Sequence, residues 1–184
     1  LNHLSIYYSI GALAAGLTSS VTIGFVIGLL QGNVFSKMES VGEKMNMIKK
    51  SYVVSIFSTL GLAVCGIKGI SRFVGGSSNL VAAAITVFAG IIASTVSFQF
   101  YQFPNLVAST VFPENSAVAL SLTDAVGFFV TASVLGVNSR LLGNFGWFTA
   151  WTFMAAIFGI GGAIMTRAIQ PVLIQSQKNQ RRQR

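Results

Sequence analysis

Asp124 is the only acidic residue inside any of the long apolar stretches of this 184-residue chain. A carboxylate there costs roughly a few kcal/mol in lipid, so it marks function by default. It would bind a proton or a cation, or pair with a base on another helix. The structural alternative is a carboxylate hydrogen-bonded to a neighbouring helix, or one lying nearer the interface. Thr123 and Thr131 stand beside it, although most hydroxyls in spans bond their own backbone. A second group is Gln99, Tyr101, Gln102 and Asn105, where amides alternate with aromatics up to Pro104. Gln99 and Gln102 are three apart and share a helix face, and Pro104 loosens the local hydrogen bonding. Such groups hold a polar solute by hydrogen bonds, or they join helix to helix. Arg140 lies in an expected loop, where solvation accounts for it.

Other chemistries are excluded by what the chain lacks. It has one histidine, one cysteine and four acidic residues. That leaves no catalytic dyad or triad and no cluster for zinc, haem or iron–sulfur ligation. No enzyme activity and no cofactor are expected. Cys65, alone within an apolar block, reads as a small core residue.

The elements that must position these residues are five apolar blocks, at about 4–30, 51–70, 80–110, 117–137 and 145–166. A hydrocarbon core of about 30 Å is crossed by roughly 20 apolar residues in a helix. Hydrophobic residues make up 53% of the chain and charged residues 9%, against about 25% charged in soluble domains. Transmembrane barrel strands are about half as long as these blocks and alternate in polarity. The expected fold is therefore all-α: a polytopic membrane bundle of about five transmembrane helices over 1–170, with a basic, disordered tail over 171–184. Solvated connections are expected at 36–50, 75–79 and 138–146, and a break at Phe112-Pro-Glu-Asn115. Asn115 or Ser116 would cap the helix that follows.

Net charge is +8, and its distribution follows topology rather than nucleic acid. Lys37, Lys44, Lys49 and Lys50 lie between the first two blocks; Arg167, Lys178, Arg181, Arg182 and Arg184 follow the last. With five spans these segments share one side, while Lys68, Arg72 and Arg140 take the other. Positive-inside bias puts the tail in the cytoplasm or its organellar equivalent. The first block is far longer than the roughly 7–15 apolar residues of a signal peptide. With Leu1 at the start, the natural protein is expected to begin upstream. Trp147 and Trp151 suit an interfacial aromatic belt.

Gly24, Gly28 and Gly32 recur at spacing four, the pattern that lets two helix backbones approach closely. Gly32-Asn-Val-Phe-Ser36-Lys37 follows, then Phe112-Pro-Glu-Asn115, a small-residue helix with Gly127, and Asn144-Phe-Gly-Trp147 opening the last block. In order and loops this resembles the major facilitator superfamily of transporters, with the five blocks standing for helices eight to twelve of its C-terminal six-helix half. The likeness covers most of 8–165. Gly28, Gly32, Ser36 and Lys37 occupy the place of that family's gating-loop motif. Gly32 and Lys37 match it, and Ser36 replaces its aspartate. The resemblance implies transport of a small solute by alternating access, with blocks one, three and four at a central cavity and blocks two and five, bland inside, away from it. It implies as partners the lipid bilayer, a small-molecule solute and further membrane helices absent from this chain. The alternative is a non-transporting subunit packed among other membrane subunits.

Overall fold

The computed structural model describes residues 2–67 and 78–183, with side chains over 13–67 and 79–179. It is almost entirely helical: α1 (Asn2–Lys37), α2 (Val41–Cys65), α3 (Ser78–Val111), a 3-10 turn (Pro113–Asn115) and α4 (Ser116–Gln183). Among the described residues, four helices are long and apolar enough to cross a membrane: Leu13–Lys37, Val41–Cys65, Asn79–Val111 and Pro113–Asn179. The last is interrupted at Gly146, where φ 83° and ψ −179° leave helical geometry. That conformation is essentially confined to glycine. We call the two parts α4a (116–145) and α4b (147–183).

Contacts fix the helix directions. Along α1, Gly16, Gly24, Gly28 and Gly32 meet Thr86, Gly90, Ser94 and Gln102 of α3 in rising order, so these helices run parallel. Ser51, Ser55 and Gly61 of α2 meet Gln99, Thr95 and Phe88, so α2 runs antiparallel to α3. Tyr52 meets Gly162, Ile56 meets Gly159 and Leu62 meets Trp147, so α4b is antiparallel to α2. Phe100 meets Phe128, and Val107 and Ala108 face Ala119 and Leu122 around the turn, so α4a is antiparallel to α3. The chain therefore reverses at Gly146. α3 is the central helix and is touched by α1, α2 and α4, while α2 also carries α4b.

The core lies at one end. Phe35, Ile48, Phe98, Phe103, Ile169 and Leu173 bury together, drawing in α1, α2, α3 and α4b. It explains two departures from the sequence expectations. The connection expected over 36–50 shrinks to Met38–Ser40, because Ile48 is 0% exposed and Lys44 lays its stem inside, its ammonium 5.5 Å from the centre of the Phe35 ring. The tail, expected to be disordered from 171, continues as helix to Gln183. Leu173 anchors it at 2% exposure, and its Gln, Lys and Arg residues are good helix formers. The loop expected at 138–146 is helical up to Gly146, so one glycine makes the whole reversal. The cap expected from Asn115 or Ser116 does not form. Pro113 starts the turn, and the Asn115 amide donates to the Phe112 carbonyl at 3.1 Å. Lys68, Arg72 and most of the turn at 75–79 lie outside the described residues.

Candidate functional site

The sequence candidates divide among three surfaces around α3. At 100° per residue, the α3 positions facing α1 (Gly90, Ser94), α2 (Thr95, Gln99) and α4a (Phe100) lie roughly 120° apart. Between α2 and α3 runs a hydroxyl seam that the sequence reading passed over as bland. Ser51, Ser55, Ser58 and Thr59 are all buried on α2, and Ser94 and Thr95 on α3. The Ser55 Oγ donates to Thr95 Oγ1 at 2.7 Å, and the Gln99 amide donates to Ser51 Oγ at 3.2 Å. Gln99 is thus held by a neighbouring helix. The recurrence of small hydroxyls at 51, 55 and 58/59 was the available signal, since that spacing repeats on one helix face.

The second surface joins α1, α3 and α4a. Tyr101 packs edge-on against Phe25 of α1 at 5.7 Å and against Phe100 at 5.3 Å. Phe100 in turn meets Phe128 of α4a at 5.9 Å. Phe25, Tyr101 and Phe128 remain 40%, 39% and 66% exposed, so the run lines an open face. Asn105 turns back on its own helix, its amide donating to the Tyr101 carbonyl at 2.6 Å. Asp124 is half-buried on α4a and forms no hydrogen bond or ion pair with another described residue. Thr123 bonds the Ala119 carbonyl of its own helix. The register of Phe100 with Phe128 puts Asp124 about 13 Å along the bundle axis from the Ser55–Thr95 pair, toward the end holding Lys37 and Lys44.

Gly28 and Gly32 are buried against α3, and the Gln102 side chain lies across Gly32. Ser36 Oγ donates to the Asn33 carbonyl at 2.8 Å within its own helix, and Lys37 is exposed. The four residues share one helix rather than a loop, because α1 continues through Lys37.

The third surface is a cleft of about 610 Å³ between α1 and α2, floored by α3. Ile23, Ile27, Val54, Val87 and Ile91 line it. A smaller hollow of about 160 Å³, bounded by Lys50 and Ser51, shares Gln31, Val54 and Thr95 with it. On α1, Phe25 points about 160° away from the Ile27 side, so the aromatic face and the cleft lie on opposite sides of the α1–α3 contact.

No family model matches the chain, and no curated protein or solved structure is significantly similar to it.

Proposed function

We propose that the chain is a membrane bundle of five crossings, part of the C-terminal half of a secondary transporter of the major facilitator type, moving a small solute by alternating access. The observation that carries this reading is the open face of α1, α3 and α4a lined by Phe25, Tyr101, Phe100 and Phe128. Exposed aromatics with a phenol among them suit a solute path, since each ring offers both apolar area and, in tyrosine, a hydrogen-bonding tip. The alternating directions of the five segments support five crossings.

If the bilayer centre passes through the Ser55–Thr95 pair, Asp124 falls close to the edge of the roughly 30 Å hydrocarbon layer. It then acts at the mouth of the path rather than at the midplane, with Gln102 and Asn105 on the same half. The basic end, with Lys37, Lys44, Lys49, Lys50, Arg167 and Lys178, faces the cytoplasm or its organellar equivalent.

The test is uptake by the full-length protein in proteoliposomes against a panel of labelled solutes. Tyr101→Ala and Asp124→Asn lower uptake by about tenfold, an effect of about 1.4 kcal/mol, while Phe129→Ala leaves it unchanged. Equal uptake by all three variants would remove the face from the mechanism. The second reading is a non-transporting subunit. It is favoured by the wide exposure of α4a, where Phe128 and Phe129 are 66% and 75% exposed. Stoichiometric co-purification with other membrane subunits, without uptake, would establish it.

A further inference from the structure

We infer that the cleft between α1 and α2 is a lipid site, holding one acyl chain of an anionic phospholipid with its phosphate at Lys50. α1 and α2 both rest on α3 and barely touch each other, so the cleft opens sideways along much of its length. In a bilayer such an opening meets lipid tails, not water. Its walls are aliphatic over the stretch from Ile23 to Ile27 and from Val87 to Ile91. Two of the hydroxyls on its border are already satisfied: Ser20 donates to the Thr86 carbonyl at 2.6 Å, and Thr95 accepts from Ser55 while donating to its own helix. These groups ask nothing of a ligand, and a chain of methylenes fits beside them.

The polar end is different. Gln31 and Lys50 border the smaller hollow, and neither forms a hydrogen bond or ion pair with another described residue. None of the lining residues of either space is acidic. Lys50 stands about 7 Å along the axis from the Ser55–Thr95 level, toward the basic end. From there its stem reaches the headgroup region by snorkelling. Tail and charge thus line up in two adjoining spaces that share Gln31, Val54 and Thr95: an apolar slot, an amide, then an ammonium. That order complements an amphiphile with an anionic head, and the bilayer supplies such a molecule at high local concentration. The inference does not depend on solute transport.

The experiment uses the full chain in nanodiscs of phosphatidylcholine doped with phosphatidylglycerol bearing a diazirine on its acyl chain, with crosslinks mapped by mass spectrometry. The expected result is labelling concentrated on Ile23, Ile27, Val87 and Ile91 over Phe129 and Ile164, which are more exposed. Lys50→Gln lowers it by about fivefold, the effect of about one basic residue at an anionic surface, and Lys49→Gln leaves it unchanged. A diazirine phosphatidylcholine labels the cleft more weakly and is insensitive to Lys50→Gln. Ile23→Trp, which fills the slot from an exposed position, abolishes cleft labelling while Phe129 labelling persists and reports an intact bundle. Uniform labelling of all apolar faces would overturn the proposal. So would protection of the cleft by another polypeptide, or displacement of the label by a water-soluble anion at constant lipid composition.

Discussion

The Ser55 hydroxyl of α2 and the Thr95 hydroxyl of α3 meet at 2.7 Å with both residues nearly or fully buried. The single Ser55 proton has a second acceptor in reach, the Ser51 carbonyl at 2.9 Å, so the interhelical bond competes with one inside α2, while Thr95 spends its own proton on the Ile92 carbonyl at 3.0 Å. Interhelical bonds of this kind average about 0.6 kcal/mol in membrane proteins, because the separated helices find other partners. A double-mutant cycle with Ser55→Ala and Thr95→Val, read by unfolding in detergent, gives a coupling of about 0.5–1 kcal/mol.

The α1–α3 contact depends on missing side chains. A Cβ at Gly24 would run into the Gly90 carbonyl, and one at Gly28 into the Ser94 carbonyl. Both obstacles are backbone and cannot swing aside. Gly28→Ala, and more so Gly24→Val, should destabilise by about 1–3 kcal/mol, the usual cost of overpacking. Gly136 and Gly143 have open space around the same virtual atom. There, alanine should be neutral or stabilising by up to about 1 kcal/mol through helix propensity. Thermal melts of the four variants in one detergent check the contrast.

Trp147 ties the start of α4b to the end of α2. Its indole N–H donates to the Leu62 carbonyl, its ring covers Gly66, and it lies 5.5 Å from Trp151. Trp147→Phe removes the donor and should cost about 1 kcal/mol. Gly66→Ala pushes into the ring and should cost more. Tryptophan fluorescence of a Trp151→Phe background, red-shifted on adding Gly66→Ala, reports the loosened contact.

Gly146 holds the one positive φ recorded among the described residues. Gly146→Ala should destabilise by about 1–3 kcal/mol, the cost of forcing a Cβ into that region. No neighbour lies within 4 Å of the added atom, so the loss comes from the backbone alone. A d-alanine at the same position, introduced by semisynthesis, restores stability.

Much of the fold was legible because lipid-scale helices announce themselves by length and apolarity. Helix ends were less legible. Ser36–Lys50 looked solvated by charge, but Ile48 and the stem of Lys44 pack into the core at the basic end, a tertiary gain that local composition does not carry. The tail over 171–184 looked disordered for the same reason, although Leu173 within it is buried. Of the site candidates, Gln99 and Gln102 share a helix face that suits either a solute or a neighbouring helix; both are half-buried, and Ser51 and Gly32 are what they touch. Asp124 stood out by its type, but its level along the bundle follows from the α3–α4a register, which the sequence does not spell out. The seam of Ser51, Ser55 and Thr59 was hidden because hydroxyls are common in apolar helices and only their spacing distinguishes a buried row.

The central claim is that the chain crosses the membrane five times, turning back at Gly146. Single cysteines at Ser40, Glu114, Asn144 and Lys178, each in a Cys65→Ala background and sealed vesicles, test it with an impermeant maleimide. The account predicts that Ser40, Glu114 and Lys178 positions label from one side and the Asn144 position from the other. Labelling of the Asn144 and Glu114 positions from the same side would contradict it, since α4a would then not cross.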